Sequence, residues 1–185
     1  MLLELARPGT LYFALHGDRQ SNIYLNSAVQ EGLDDAAFLE SRTRLAHAPA
    51  ALQSTSAAAR AILRLQPNDN MRAHHLVPVN IIGKNLRLAT LASEAGWRTD
   101  SLENLIALPA DEKTQEHLAI TTGVELPIQK SSHDDYDIQT QAQISLHELD
   151  VEGPLTPLKA LDILRAVERE NLKQIVLGIW LPRLH

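Results

Sequence analysis

Four short stretches of the chain carry residues able to do chemistry: Ala73-His74-His75-Leu76-Val77-Pro78, then Glu103-Asn104-Leu105-Ile106, then Leu126-Pro127-Ile128, then His133 followed by Tyr136. Imidazole is the side chain that exchanges a proton near neutral pH and also binds divalent cations. Two adjacent histidines, an asparagine about thirty residues on and a further histidine at the start of a later helix are the parts of a metal-assisted phosphodiester hydrolysis. One imidazole takes a proton from water, and the others hold a cation against a phosphate. The remaining histidines, His16, His47, His117, His147 and His185, have no partner at such a spacing. His117 lies in a polar helical run and reads as solvated surface. Asp134, Asp135 and Asp137 read as favourable charge at a helix N-terminus rather than as ligands.

These residues need elements to place them. Residues 9–16 read as a short strand or apolar arm, ended by the turn signal Gly17-Asp18. The alanine- and leucine-rich region from Asn26 to Gln66 reads as a helical hairpin, with Asp34 or Asp35 capping one helix, Ser54 or Thr55 the other, and Pro49 between them. The loop Pro67-Asn68-Asp69-Asn70 delivers the chain into a strand over His74 to Val79. Asn85 caps a helix to about Ala95, and Gly96 ends it. A second strand over residues 104–108 stops at Pro109, and a short helix runs from Asp111 to Ile120. Residues 123–132 read as loop, followed by helices over Asp134–Leu149 and Thr156–Leu177. The last helix places Leu158, Leu161, Ile163, Leu164, Val167, Leu172, Ile175 and Val176 on one stripe that reads as core-facing, with a partner surface the alternative. Neighbours in a regular strand face opposite ways, so His74 and His75 share one site only if the strand twists or ends there.

The expected fold class is α+β, mostly helical. Residues 1–66 form an N-terminal arm and helical hairpin packed on or leading to the core, 67–150 the core itself, and 151–185 a C-terminal helix completing it. At 185 residues the chain is long enough to bury one ordinary core. It has no cysteine, which excludes disulfides and thiolate metal sites. No basic n-region precedes the first apolar residues and no long apolar run occurs, so the expectation is a soluble protein without a membrane segment, cytoplasmic in its producer or exported by a signal-peptide-independent route. The formal net charge is −6. Its distribution is uneven: residues 57–98 hold Arg60, Arg64, Arg72, Lys84, Arg87 and Arg98 against only Asp69 and Glu94. The one basic segment therefore contains the His-His pair, although the overall negative charge argues against a dedicated nucleic-acid binder and each of these basic residues also reads as part of a solvated helix face.

From about Arg72 to Leu146 the motifs, in their order, resemble the AHH nucleases, a branch of the HNH/endonuclease VII superfamily with the ββα-metal fold that occurs as the toxic tip of bacterial polymorphic toxins. Each motif is weak alone; the order Ala-His-His-x-x-Pro, Glu-Asn-x-Ile-x-Leu-Pro, Leu-Pro-Ile and Ser-His-x-x-Tyr carries the resemblance. The resemblance implies a ββα-metal nuclease core with additional N- and C-terminal helices. It implies that His74 helps hold the metal, that His75 is the general base, that Asn104 ties the two strands together and orients the base or metal, and that His133 is a later metal ligand. The product would be a 5′-phosphate and a 3′-hydroxyl. Two departures stand out: Gln129 replaces a histidine that many relatives carry four residues before the last one, and Leu105 follows the asparagine where glycine is common. An amide oxygen suits a hard cation, so Mg²⁺ or Mn²⁺ is favoured over Zn²⁺.

The expected function is a metal-dependent endonuclease, with DNA the favoured nucleic acid, acting as a bacterial toxin or effector held in check by a cognate immunity protein. Two alternatives stay open: a catalytically inactive binding module of the same shape, and an RNA-directed nuclease.

Overall fold

The computed structural model describes residues 45, 47–129 and 134–178. Within them the fold is α+β and mostly helical: helices α1 (Ser56–Ile62), α2 (Val79–Lys84), α3 (Leu86–Glu94), α4 (Glu112–Thr122), α5 (Asp134–Leu149) and α6 (Pro157–Val176), with strands β1 (Met71–His75) and β2 (Leu105–Pro109). A 3₁₀ turn at Ala50–Leu52 precedes α1. The arm at 9–16, the first helix of the expected hairpin and His133 lie outside the described residues.

Three helix caps act where the sequence places them, whereas Asn85 precedes α3 with its side chain bonded to the Ile81 carbonyl and to Gln141 and not to the first turn of that helix. Thr55 accepts from the Ala58 amide, Asp111 from that of Thr114 and Thr156 from that of Lys159, each satisfying a donor that the first helical turn leaves without a partner. Gly96, at φ +96°, takes the left-handed conformation that lets the chain leave α3 and drop Trp97 into the interior.

One expectation is corrected. The first strand does not run from His74 to Val79; it begins at Met71 and ends at His75, and Val79 opens α2 with Pro78 as its N-cap. Proline holds φ near the helical value and has no amide to lose, so it sits readily at a helix start, whereas a paired strand would lack its donor. The β-branched run Val77–Val79 is thus the exit from a strand.

β1 and β2 pair antiparallel, with Met71 opposite Pro109, His74 opposite Ile106 and His75 opposite Leu105. Every residue of β2 is buried, because helices cover both faces. On one face Leu105, Ala107 and the partly buried Ala73 and Met71 pack against Ala59 and Leu63 of the α1 region. On the other, Leu76, Ile106 and Leu108 meet Leu126, Tyr136 of α5 and Leu172, Ile175 and Val176 of α6. A third cluster joins Leu52, Ile81, Leu88, Ala92, Trp97, Ile144, Ile163, Leu164 and Val167. All three stretches of the sequence contribute to that cluster, and small alanines at 89, 92 and 160 let α3 and α6 approach closely.

Leu158 departs from the expected stripe of α6 and is 68 % exposed. At about 100° per residue it lies roughly 140° round the helix from Ile163, off the buried face.

Truncation should separate these positions. Ile144→Ala, at a fully buried site, is expected to lower unfolding free energy by about 2–5 kcal/mol. Leu158→Ser should stay within about 0.5 kcal/mol of the parent. Urea denaturation followed by the far-ultraviolet helical signal measures both.

A candidate active site at the end of the first strand

β1 stops at His75 because the following backbone is claimed by side chains rather than by β2. The Leu76 amide still donates to the Asn104 carbonyl at 2.8 Å, the last ladder-like bond. The Val77 amide donates instead to Asn104 Oδ1 at 2.7 Å, and Asn104 Nδ2 donates to the carbonyls of Thr99 at 2.9 Å and Val77 at 3.4 Å. Asn104 is completely buried, so each bond replaces water that cannot reach the group. The Leu76 carbonyl accepts from Tyr136 Oη and from Asn171 Nδ2, both at 2.7 Å. Burial, with the Asp137 charge adding to it, pushes the Tyr136 phenol well above its ordinary range, which keeps it a donor.

The two histidines face opposite sides of the hairpin, as strand alternation demands. His74 is buried on the α5/α6 face, its ring meeting that of Tyr136 edge-on with centroids 4.8 Å apart. His75 lies on the α1 face, where its Nε2 is 2.8 Å from Asp100 Oδ1 and 3.2 Å from Ser54 Oγ. Ser54 in turn donates to the same Asp100 oxygen at 2.6 Å. Burial alone would raise the Asp100 carboxyl; the hydrogen bonds from His75 and Ser54, the His75 charge and the Thr55 amide outweigh it and hold the group below the ordinary carboxylate range. Asp100 therefore stays an acceptor at neutral pH.

This constellation is not a serine-nucleophile triad. In such a triad the imidazole contacts serine and aspartate through different nitrogens, and the serine gives its proton to the ring. Here both contacts fall on Nε2, and the hydroxyl proton is committed to the carboxylate. Nδ1 of His75 has no hydrogen-bond partner among the described residues.

Ser54 and Asp100 were not legible as site residues, since one reads only as a candidate helix cap and no motif singles out the other. Tertiary bonds bring them in: the Thr99 amide donates to the Ala51 carbonyl at 3.0 Å, and Thr99 Oγ1 to the Leu52 carbonyl at 2.9 Å. The loop before β2 is thereby stitched to the turn before α1.

Gln129 lies in no helix. Its amide donates to the Pro109 carbonyl at 2.9 Å, and Pro109 pairs with Met71 at the opposite end of the ladder, roughly 10 Å of strand from His74. Pro127 two residues earlier removes a backbone donor and favours this extended course. Leu105, the other departure, is an ordinary strand residue opposite His75 with no left-handed backbone.

No family model, curated protein or solved structure matches this chain. The candidate site therefore rests on its own geometry. Among the described residues no three His, Asp or Glu side chains are grouped to hold a metal ion. Of the two expected ligands the described residues contain His74, and His133 lies outside them.

Two measurements probe the site. Asn104→Ala should cost about 1–3 kcal/mol for each buried group left without a partner, chiefly the Val77 amide and the Thr99 carbonyl, as read by denaturant unfolding. Because the folded state holds Asp100 below its unfolded pKa, its contribution to stability is complete above the ordinary aspartate range and is lost as pH falls through the folded value. Asp100→Asn should therefore show a shallower loss of stability on acidification than the parent, in thermal melts between neutral and strongly acidic pH.

Proposed function

We propose that the chain is a metal-dependent endonuclease in which His75 is the general base. The observation that carries this reading is the strand end itself: an ordered His-His pair, a buried asparagine fixing the backbone just beyond it, and a helix reaching the His74 ring from the far side through Tyr136. The antiparallel pairing of β1 and β2, with α5 packed across one face, supports a ββα arrangement around that strand end.

In this reading water gives a proton to His75 and its oxygen bonds to phosphorus. The 3′-oxygen leaves with the electron pair of the broken P–O bond and takes a proton from solvent, which yields a 5′-phosphate and a 3′-hydroxyl. A divalent cation, held by His74 and His133 with water filling the remaining positions, would supply charge neutralisation at the phosphate. Asn104 does not reach substrate; it holds the Val77 peptide and so fixes where both imidazoles start. DNA remains the favoured substrate and a toxin role with an immunity protein the favoured context, both on the family resemblance, and Mg²⁺ or Mn²⁺ the favoured ions because water completes the coordination in this reading.

The competing reading, a binding module that has lost catalysis, draws support from the divergence of the two imidazoles to opposite faces of the hairpin. No helix among the described residues is long and apolar enough to cross a membrane.

Incubation of the purified chain with plasmid DNA and with total RNA, in EDTA, Mg²⁺, Mn²⁺ or Zn²⁺, separates the readings. Cation-dependent cleavage is expected, with His75→Ala slower by about 10²- to 10⁴-fold. His74→Ala and His133→Ala should each weaken cation binding by calorimetry. Absence of cleavage under every condition would leave the binding module.

A further inference from the structure

We infer that Asp100 is the positioning residue for His75, holding the ring by its Nε2–H so that Nδ1 presents the lone pair to the attacking water, and that Ser54 sets Asp100 in place. The inference rests on the nuclease reading for the role of Nδ1, and on geometry for the rest.

A carboxylate has no proton to give, so the 2.8 Å contact requires the hydrogen to sit on Nε2. That fixes the basic nitrogen of the neutral ring as Nδ1, which has no partner among the described residues. The ring keeps 15 % of its side-chain surface exposed, so it is not sealed from solvent.

Ser54 completes the device. Its hydroxyl donates to the same Oδ1 at 2.6 Å and places the carboxylate between two elements, the turn before α1 and the loop before β2. Both elements are anchored independently of His75: Leu52 is fully buried in the core, and the Thr99 amide and hydroxyl bond to the Ala51 and Leu52 carbonyls. The imidazole is thus held against a rigid seam rather than a single side chain. Asp100 touches neither water nor phosphate in this arrangement, which is why its role is positioning.

The test joins ring spectroscopy to kinetics on the full chain. In the uniformly ¹⁵N-labelled protein near neutral pH, a His75 imidazole proton bonded to Nε2 and slowed in exchange with solvent is expected, assigned by its disappearance in His75→Ala. Asp100→Ala should lose that protected proton, while Asp100→Asn, which keeps an acceptor oxygen, should retain it in part. In plasmid cleavage with Mg²⁺ or Mn²⁺, Asp100→Ala should lower kcat by up to about 10²-fold, the lower end of what a general base contributes, with KM for plasmid unchanged. Asp100→Asn should recover part of the loss, and Ser54→Ala should fall between the parent and Asp100→Ala.

A wild-type ring protonated at Nδ1 with Nε2 bare would overturn the inference, and so would an Asp100→Ala protein that cleaves at the wild-type kcat. If Asp100→Ala fails to fold, the wild-type ring signal and the Asp100→Asn kinetics still decide. Failure of the nuclease reading looks different: no protein cleaves with any cation, yet the protected Nε2–H persists, and Asp100 is then a structural partner of His75 with no part in water activation.

Discussion

Everything around this site depends on the need to satisfy the backbone of Leu76 and Val77, which is buried at the point where the strand ends. A buried peptide group without a partner costs as much as one or more ordinary hydrogen bonds contributes, so the fold must bring donors and acceptors to it. Asn104 supplies three of the contacts through its side-chain amide and its own carbonyl, and Tyr136 and Asn171 fill the Leu76 carbonyl from two different helices. One dipeptide therefore ties together β2, α5 and α6. Because His74 and His75 immediately precede it, their backbone origins are fixed by the same bonds, and the placing of the site and the integrity of the core are one problem.

The adjacency of the two histidines has a geometric consequence. A strand turns successive side chains to opposite faces, and each face of this hairpin is covered by a different layer, α1 on one side and α5 with α6 on the other. The imidazoles accordingly acquire separate surroundings: His74 packs against an aromatic ring in the interior, and His75 joins a half-buried cluster of carboxylate and hydroxyl. Chemically distinct roles for the two rings need no difference in residue type, only that difference in environment.

Two acids show how environment sets charge in the same molecule. Asp100 is held ionised because donors converge on it and outweigh its burial. At Glu168, which is 2 % exposed, burial wins and raises the carboxyl above its ordinary range, although Arg165 and the Trp97 indole N–H both bond to it. The first sits at the edge of the site beside an imidazole, and the second seals the seam between α6 and the loop after α3. A carboxylate near the surface can keep its charge by gathering donors, whereas one in the core pays a desolvation cost that two donors do not cancel.

The sequence by itself determined the class of the fold, two strand candidates on either side of the long excursion, and helix starts at Ser54 or Thr55, at Asp111 and at Thr156, because caps, prolines and apolar periodicity are local signals that act within a few residues. It did not bring His74 and His75 beside Asn104: that follows from the antiparallel register, which ends the first strand at His75 opposite Leu105. It misplaced the end of the first strand, because Val77–Val79 is β-prone locally while Pro78 and the Asn104 side chain decide otherwise. Only the tertiary structure decided that Ser54 and Asp100 stand beside His75: the three are joined across separations of 21 and 25 residues by bonds that begin at Thr99, and no local pattern marks them. It also decided that the Gln129 amide docks at the Pro109 carbonyl, at the far end of the ladder from His74, because the course of an irregular segment depends on the backbone acceptor it meets.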